Sequence, residues 1–151
     1  MRTASSTWLG AIFVVYLFGS ATAPLTGKLV GRFGRRHFVL ITIAIWTAGI
    51  LLTLAASLWV IVLGLAMMAT CGLLCQAVST GYVAVTAQAG RSSAVGLYVT
   101  SFYLGGSAGA AAGGVTWVWG GWPACVAMMV AVLAIMAAIV AFAWSHRSAA
   151  V

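Results

Sequence analysis

Aspartate and glutamate are absent from this 151-residue chain, and charged residues of any kind make up 5% of it. A water-facing surface needs about 25–35% charged residues of mixed sign, so a soluble globular domain is excluded. Nor does the chain show a nucleophile–base pair, a metal-ligand constellation or a phosphate-binding loop, so an enzyme, a cofactor site and a metal site all lack their parts. Cysteine is scarce, at three residues. Cys71 and Cys75 lie four apart on one helical face, without the histidine or carboxylate partners that would help build a zinc site. Cys125 sits in a further apolar run. All three read as small buried hydrophobes.

What the chain does have is 64% apolar residues and seven lysines and arginines. Its pI near 10.2 arises from missing acids and not from a basic face, which argues against nucleic acid. The cations mark boundaries: residues 3–27, 37–90 and 92–146 contain no lysine or arginine. A hydrocarbon core ~30 Å thick takes ~20 apolar residues per helix, so these stretches hold one, two and two spans. The expected spans are 8–26, 38–56, 58–86, 94–117 and 123–144. They describe an all-α integral membrane protein with five transmembrane helices in a single membrane domain over 1–151. The second and third spans meet at Ala56-Ser57, making them antiparallel neighbours across a tight turn. The third, at ~29 residues, reaches ~43 Å and must tilt, bend or project beyond the lipid. Gly64, Gly72 and Gly81 are places for a bend. The first span is long, is followed by its basic flank and is preceded only by Arg2, so it reads as a retained helix and not as a signal peptide.

Orientation follows from the same cations. Lys28, Arg32, Arg35, Arg36, Arg91 and Arg147 fall on one side of this arrangement and Arg2 on the other. The positive-inside bias makes the first side cytoplasmic, with the N-terminus out and the C-terminus in. Thr116-Trp-Val-Trp-Gly-Gly-Trp-Pro123 then lies outside, and Trp117, Trp119 and Trp122 suit the interfacial aromatic belt. His37 and His146 stand beside basic residues at cytoplasmic ends and read as solvated flank residues. An odd number of spans with an external N-terminus is the pattern of the later part of a larger protein.

Between the first two spans stands Gly27-Lys-Leu-Val-Gly31-Arg32-Phe33-Gly34-Arg35-Arg36. Gly27 and Gly31, four apart, let a neighbouring helix approach closely, and Gly34 offers a positive-φ position to turn the chain. Arg32, Arg35 and Arg36 either cap the carbonyls at the end of the first span or meet lipid phosphate. A generic positive-inside loop needs cations but not glycines at set positions. The pattern resembles the cytoplasmic loop signature of the major facilitator superfamily, Gly-x-x-x-Asp-Arg-x-Gly-Arg-Arg/Lys, at Gly27, Arg32, Gly34, Arg35 and Arg36. Position 31, where that family usually has aspartate, is glycine, which removes the acid that anchors the loop to a neighbouring helix. This suits the looser copy of the signature between helices 8 and 9.

The resemblance covers essentially all of the chain, which is similar to helices 8–12 of a twelve-helix bacterial drug- or sugar-efflux member. Arg91-Ser-Ser-Ala-Val-Gly-Leu-Tyr, leading into Tyr103-Leu-Gly-Gly-Ser-Ala-Gly, resembles the helix 10–11 connection and helix 11. Gly120-Gly-Trp-Pro123 resembles the entry to the last helix. It implies part of a C-terminal bundle in a multi-pass protein of the bacterial inner membrane, with transport of a small molecule by alternating access. The branch implied is efflux, as in drug/proton antiporters. Partners would be the bilayer, the substrate, and the preceding transporter helices or another membrane subunit. Proton coupling would need a carboxylate from those other helices, since antiporters usually carry the proton on a buried acid and this chain has none.

Two further features stand out. The fourth span carries Ser101, Gly105, Gly109 and Gly113 at steps of four, a packing face of the small-residue kind; Gly19, Ala23, Gly27 and Gly31 make a similar stripe on the first. Gln76 is the one amide well inside a span, placed either to line a cavity or to bond a neighbouring helix. Tyr16, Tyr98 and Tyr103 are weaker candidates for a substrate path and serve equally as packing or interface residues. The competing readings are a stand-alone structural or assembly protein that binds partner helices through its glycine faces, and a small self-assembling transporter.

Overall fold

Gly34 sets the first boundary in the computed structural model, which describes residue 27 and residues 30–143. The expected first span, 8–26, lies outside these residues. Residues 30–33 are helical and end where the Gly34 N–H bonds the Val30 carbonyl at 3.0 Å. Gly34 then takes φ 76° and ψ 144°, a left-handed φ that a Cβ would oppose. Its carbonyl accepts the Phe38 N–H at 3.1 Å and so opens helix α1, Arg35–Leu52. Helix α2 is Leu58–Thr86, and the helical stretch α3 is Arg91–Ala143. Among the described residues every regular element is a helix. All three are long and apolar enough to cross a membrane.

Medium and sequence explain why these residues are helical. In hydrocarbon each backbone N–H and C=O must be satisfied within the chain, and a helix does so locally. The hydroxyls follow the same rule. Thr42, Thr47, Thr70, Thr80, Ser101 and Ser107 each donate to the carbonyl four residues back, at 2.8–3.0 Å, so these hydroxyls need no water.

The protein divides into two compact units, Met1–Cys75 and Gln76–Val151, with the boundary inside α2. The first unit is built on a hairpin of α1 against α2. Its helix α1 starts three residues before the expected span and stops four before its end. The reason for the early stop is local: Thr53 donates both its N–H (3.1 Å) and its hydroxyl (2.6 Å) to the Ile50 carbonyl, and Leu54 and Ala55 continue with three-residue bonds. These tighter turns close the helix end, and the Ser57 carbonyl opens α2 by accepting the Ile61 N–H. The buried face of α1 is Val39, Thr42, Ile43, Gly49 and Ile50. Opposite, a Cβ on Gly64 would stand 2.6 Å from the Gly49 carbonyl oxygen, and one on Gly49 would stand 3.0 Å from Met67 Cβ. Gly72 lies under Trp46, whose ring would be 3.3 Å from an added Cβ. α2 is a single helical element over its 29 residues, and Gly64 and Gly72 serve as contact points for α1.

The second unit contains residues 76–86 of α2, a connection at 87–90, and α3. Gly90 has φ 62° and its carbonyl accepts the Ala94 N–H, so helix begins at Arg91, three residues before the expected span. At 53 residues a straight α3 would measure ~80 Å, far more than a bilayer core. It is not straight. Gly120 (φ −152°, ψ 16°) and Gly121 (φ 62°, ψ −152°) leave the helical region, the latter in a region open essentially to glycine alone. Pro123 follows, at a point where a missing N–H costs a helix little.

Candidate functional site

Two arms, 91–119 and 122–143, fold back on each other across this glycine pair. Thr116 Oγ1 is 3.4 Å from Cys125 Sγ and donates to Met128 Sδ at 3.9 Å. The Cys125 thiol reaches the Gly113 carbonyl at 3.5 Å. A Cβ on Gly113 would meet Met128 Cε at 3.9 Å. The pairs 113/128 and 116/125 share one midpoint, between Gly120 and Gly121, as the geometry of an antiparallel helical hairpin requires. Trp117 and Trp122 meet edge to face near the turn, centroids 6.4 Å apart. Trp119 is 86% exposed. Sequence reasoning does not reach the Thr116–Cys125–Met128 cluster; the signal that could have found it is the equal spacing of Thr116 and Cys125 from the Gly-Gly pair.

The basic loop opens the described part of the first unit. Gly27 and Gly31 are exposed, and among the described residues a Cβ added at either would meet no atom within 4 Å. Arg32 and His37 are exposed, and Arg35 and Arg36 are half-buried. A Cβ at Gly34 would stand 4.0 Å from His37 Nδ1, so the imidazole leans back toward the hinge. The Arg36 Nε is shielded from solvent and has no hydrogen-bond partner. The loop is thus a helical turn, a left-handed glycine and a new helix start, with guanidinium groups on both sides of the hinge.

The residues expected along a substrate path are not joined. Tyr16 lies outside the described residues. Gln76 is half-buried, and its carbonyl accepts the Thr80 hydroxyl at 2.8 Å. Tyr98 is half-buried; Tyr103 is exposed and meets Phe102 edge to face at 5.6 Å. Among the described residues no hydrogen bond or ring contact links Gln76, Tyr98 and Tyr103. Of the small-residue face, Gly113 packs within the hairpin, whereas Gly105 and Gly109 are exposed and face open space among the described residues. Cys71, Cys75 and Cys125 are buried free thiols.

Comparison with known proteins places this architecture. The sequence model of the family described as Major Facilitator Superfamily matches residues 2–150. An "uncharacterized transporter" of Buchnera aphidicola subsp. Schizaphis graminum (strain Sg) is 25% identical over 118 residues, covering 78% of this chain and 29% of the relative. An "uncharacterized MFS-type transporter" of Bacillus subtilis (strain 168) is 29% identical over 129 residues, covering 85% of this chain and 31% of the relative. The chain therefore spans about three tenths of the length of these curated relatives. No solved structure matches it.

Proposed function

The chain belongs to the Major Facilitator Superfamily, and from that premise we propose that it supplies helices 8–12 of a secondary transporter, five spans with the N-terminus out and the C-terminus in. The complete transporter moves a small drug- or sugar-like molecule out of a bacterial cell by alternating access. Two bundles rock about a midplane site, and this chain contributes most of one wall. It performs no covalent chemistry. Its location is the bacterial inner membrane.

The observation that carries this reading is the hinge at Gly34. A Gly-x-x-x-x-Arg-x-Gly-Arg-Arg loop joins two helical segments through a glycine at φ 76°, in a chain whose helices are otherwise apolar. The doubled-back α3 supports the span count, since its two arms are each long enough for one crossing. Six of seven cations on one side support the orientation.

Coupling to protons is assigned to helices outside this chain, because no side-chain carboxylate is available within it. The 151 residues reconstituted alone into liposomes are therefore expected to show no flux driven by a proton gradient. Gradient-dependent uptake or efflux by the chain alone would overturn this reading. The open face at Gly105 and Gly109 also suits a stand-alone protein that binds partner helices; in the transporter reading, other helices of the complete machine cover it.

A further inference from the structure

Two sulfur atoms converge on one hydroxyl inside the α3 hairpin. Cys125 Sγ lies 3.4 Å and Met128 Sδ 3.9 Å from Thr116 Oγ1. Spaced three apart, Cys125 and Met128 share one face of the second arm. The first arm brings Thr116 and the Gly113 carbonyl, which stands 3.5 Å from the thiol. Cys125 is a buried free thiol, and Met128 is half-buried. Both lie shallow, about 7 and about 11 Å along the helix axis from the turn at Gly120-Gly121.

The chemistry of these donors selects the ion. Thiolate and thioether are soft ligands, suited to Cu(I) and its analogue Ag(I), whereas magnesium and calcium require oxygen. Structural zinc takes four nitrogen, sulfur or carboxylate ligands, and among the described residues no three His, Cys, Asp or Glu side chains come together. Charge points the same way. A chain without aspartate or glutamate has no side-chain carboxylate to neutralise a divalent ion, but one thiolate cancels one monovalent charge. The neutral unit avoids the penalty of burying net charge among apolar side chains.

We propose that Cys125 and Met128 bind one soft monovalent cation, Cu(I) or Ag(I), with Thr116 as a positioning residue. The thiol exchanges its proton for the metal: the S–H bond breaks, a sulfur–metal bond forms and the proton leaves to water. No electron is transferred. Met128 adds a thioether lone pair as the second ligand, and the Thr116 hydroxyl turns to donate to the thiolate, supporting it from the facing arm. The sequence hides this site because Thr116 joins the two sulfurs only when the arms fold back. The inference uses the fold of α3 and no transport activity. Its failure would leave the transporter reading standing, and failure of transport would leave it intact.

The test uses the full chain in detergent micelles with Cys71→Ala and Cys75→Ala, which leaves Cys125 as its one thiol. Ag(I) is the probe in equilibrium dialysis, with glutathione as competitor because any free thiol binds this ion. The expected result is one Ag(I) per chain, held against excess glutathione. Met128→Leu, a volume-conserving change, lowers the competed affinity about tenfold, and Thr116→Val lowers it on the same scale. Met129→Leu, the same change on a neighbouring face, leaves it unchanged. Circular dichroism checks that the variants remain helical; should Met128→Leu not fold, Thr116→Val takes its place with the same expectation. Zinc in millimolar excess leaves Ag(I) in place. Three results would each overturn the proposal. Equal affinity in Met128→Leu and its parent would mean a thiol acting without a second ligand. Equal losses in Met128→Leu and Met129→Leu would mean a general effect on the hairpin. Displacement by zinc would mean a site for divalent ions.

Discussion

Glycines in this chain do different work according to what faces them. Gly64 abuts the Gly49 carbonyl so closely that a methyl group would stand 2.6 Å from backbone oxygen, and backbone cannot swing aside as a side chain can. Gly64→Ala is therefore expected to destabilise the α1–α2 hairpin by ~1–3 kcal/mol, the usual range for overpacking. Gly105→Ala, with open space around it among the described residues and a helical backbone that alanine favours, is expected to raise stability by up to ~1 kcal/mol. Equilibrium unfolding in mixed micelles, followed by circular dichroism, compares the two. Gly34 belongs to a third kind. Its φ of 76° makes Gly34→Ala unfavourable by ~1–2 kcal/mol through backbone strain alone, and the same unfolding measurement should show the loss without any change in packing. Residue by residue, the sequence exposes these roles unevenly. A glycine inside a basic loop announces a turn. Gly49 and Gly64 give no such notice, because hydropathy does not register glycine strongly and their contact exists only once the position of the turn at 53–57 is known.

Elements are more legible than contacts. The apolar run from Leu58 to Thr86 is long enough that helix is the only way to satisfy its backbone in lipid. The end of α1 is not legible to the residue. Thr53, Leu54 and Ala55 are as compatible with a span as the residues before them, and the helix stops there because three-residue hydrogen bonds take over. The α3 turn shows the reverse case, since Gly120-Gly121 before Pro123 carries a strong local signal. What the sequence does not reveal is the register of the two arms. The 3.4 Å separation of Thr116 Oγ1 and Cys125 Sγ makes that register testable. Thr116→Cys should form a disulfide with native Cys125 under mild oxidation, seen as a linkage between the two arms after cleavage near the turn. Adding Gly121→Val, which a φ of 62° with ψ −152° does not tolerate, should reduce the yield severalfold. Equal yields with and without the valine would mean that the turn does not depend on glycine.

At the scale of the whole molecule, absent acids and unevenly spaced cations serve one account. Lacking aspartate and glutamate, the chain has no side-chain carboxylate of the kind that usually carries a coupling proton. Its membership of the Major Facilitator Superfamily, its three helices long and apolar enough to cross a membrane, and its span of about three tenths of its relatives fit one wall of a larger transporter. Gln76, Tyr98 and Tyr103, which we propose as substrate-path residues, are unjoined among the described residues; in the proposed transporter a midplane site would also need the facing bundle. The central claim is therefore topological: five crossings, with the basic loop inside and the α3 turn outside. Its most direct test is labelling of single-cysteine variants in intact cells by a membrane-impermeant maleimide, in a background where Cys71, Cys75 and Cys125 are alanine. The account predicts that Ser5→Cys and Trp119→Cys are labelled from outside, whereas Gln88→Cys and Ser148→Cys react only after permeabilisation. Labelling of Gln88→Cys together with Trp119→Cys from the outside, or of Ser5→Cys only from the inside, would contradict it.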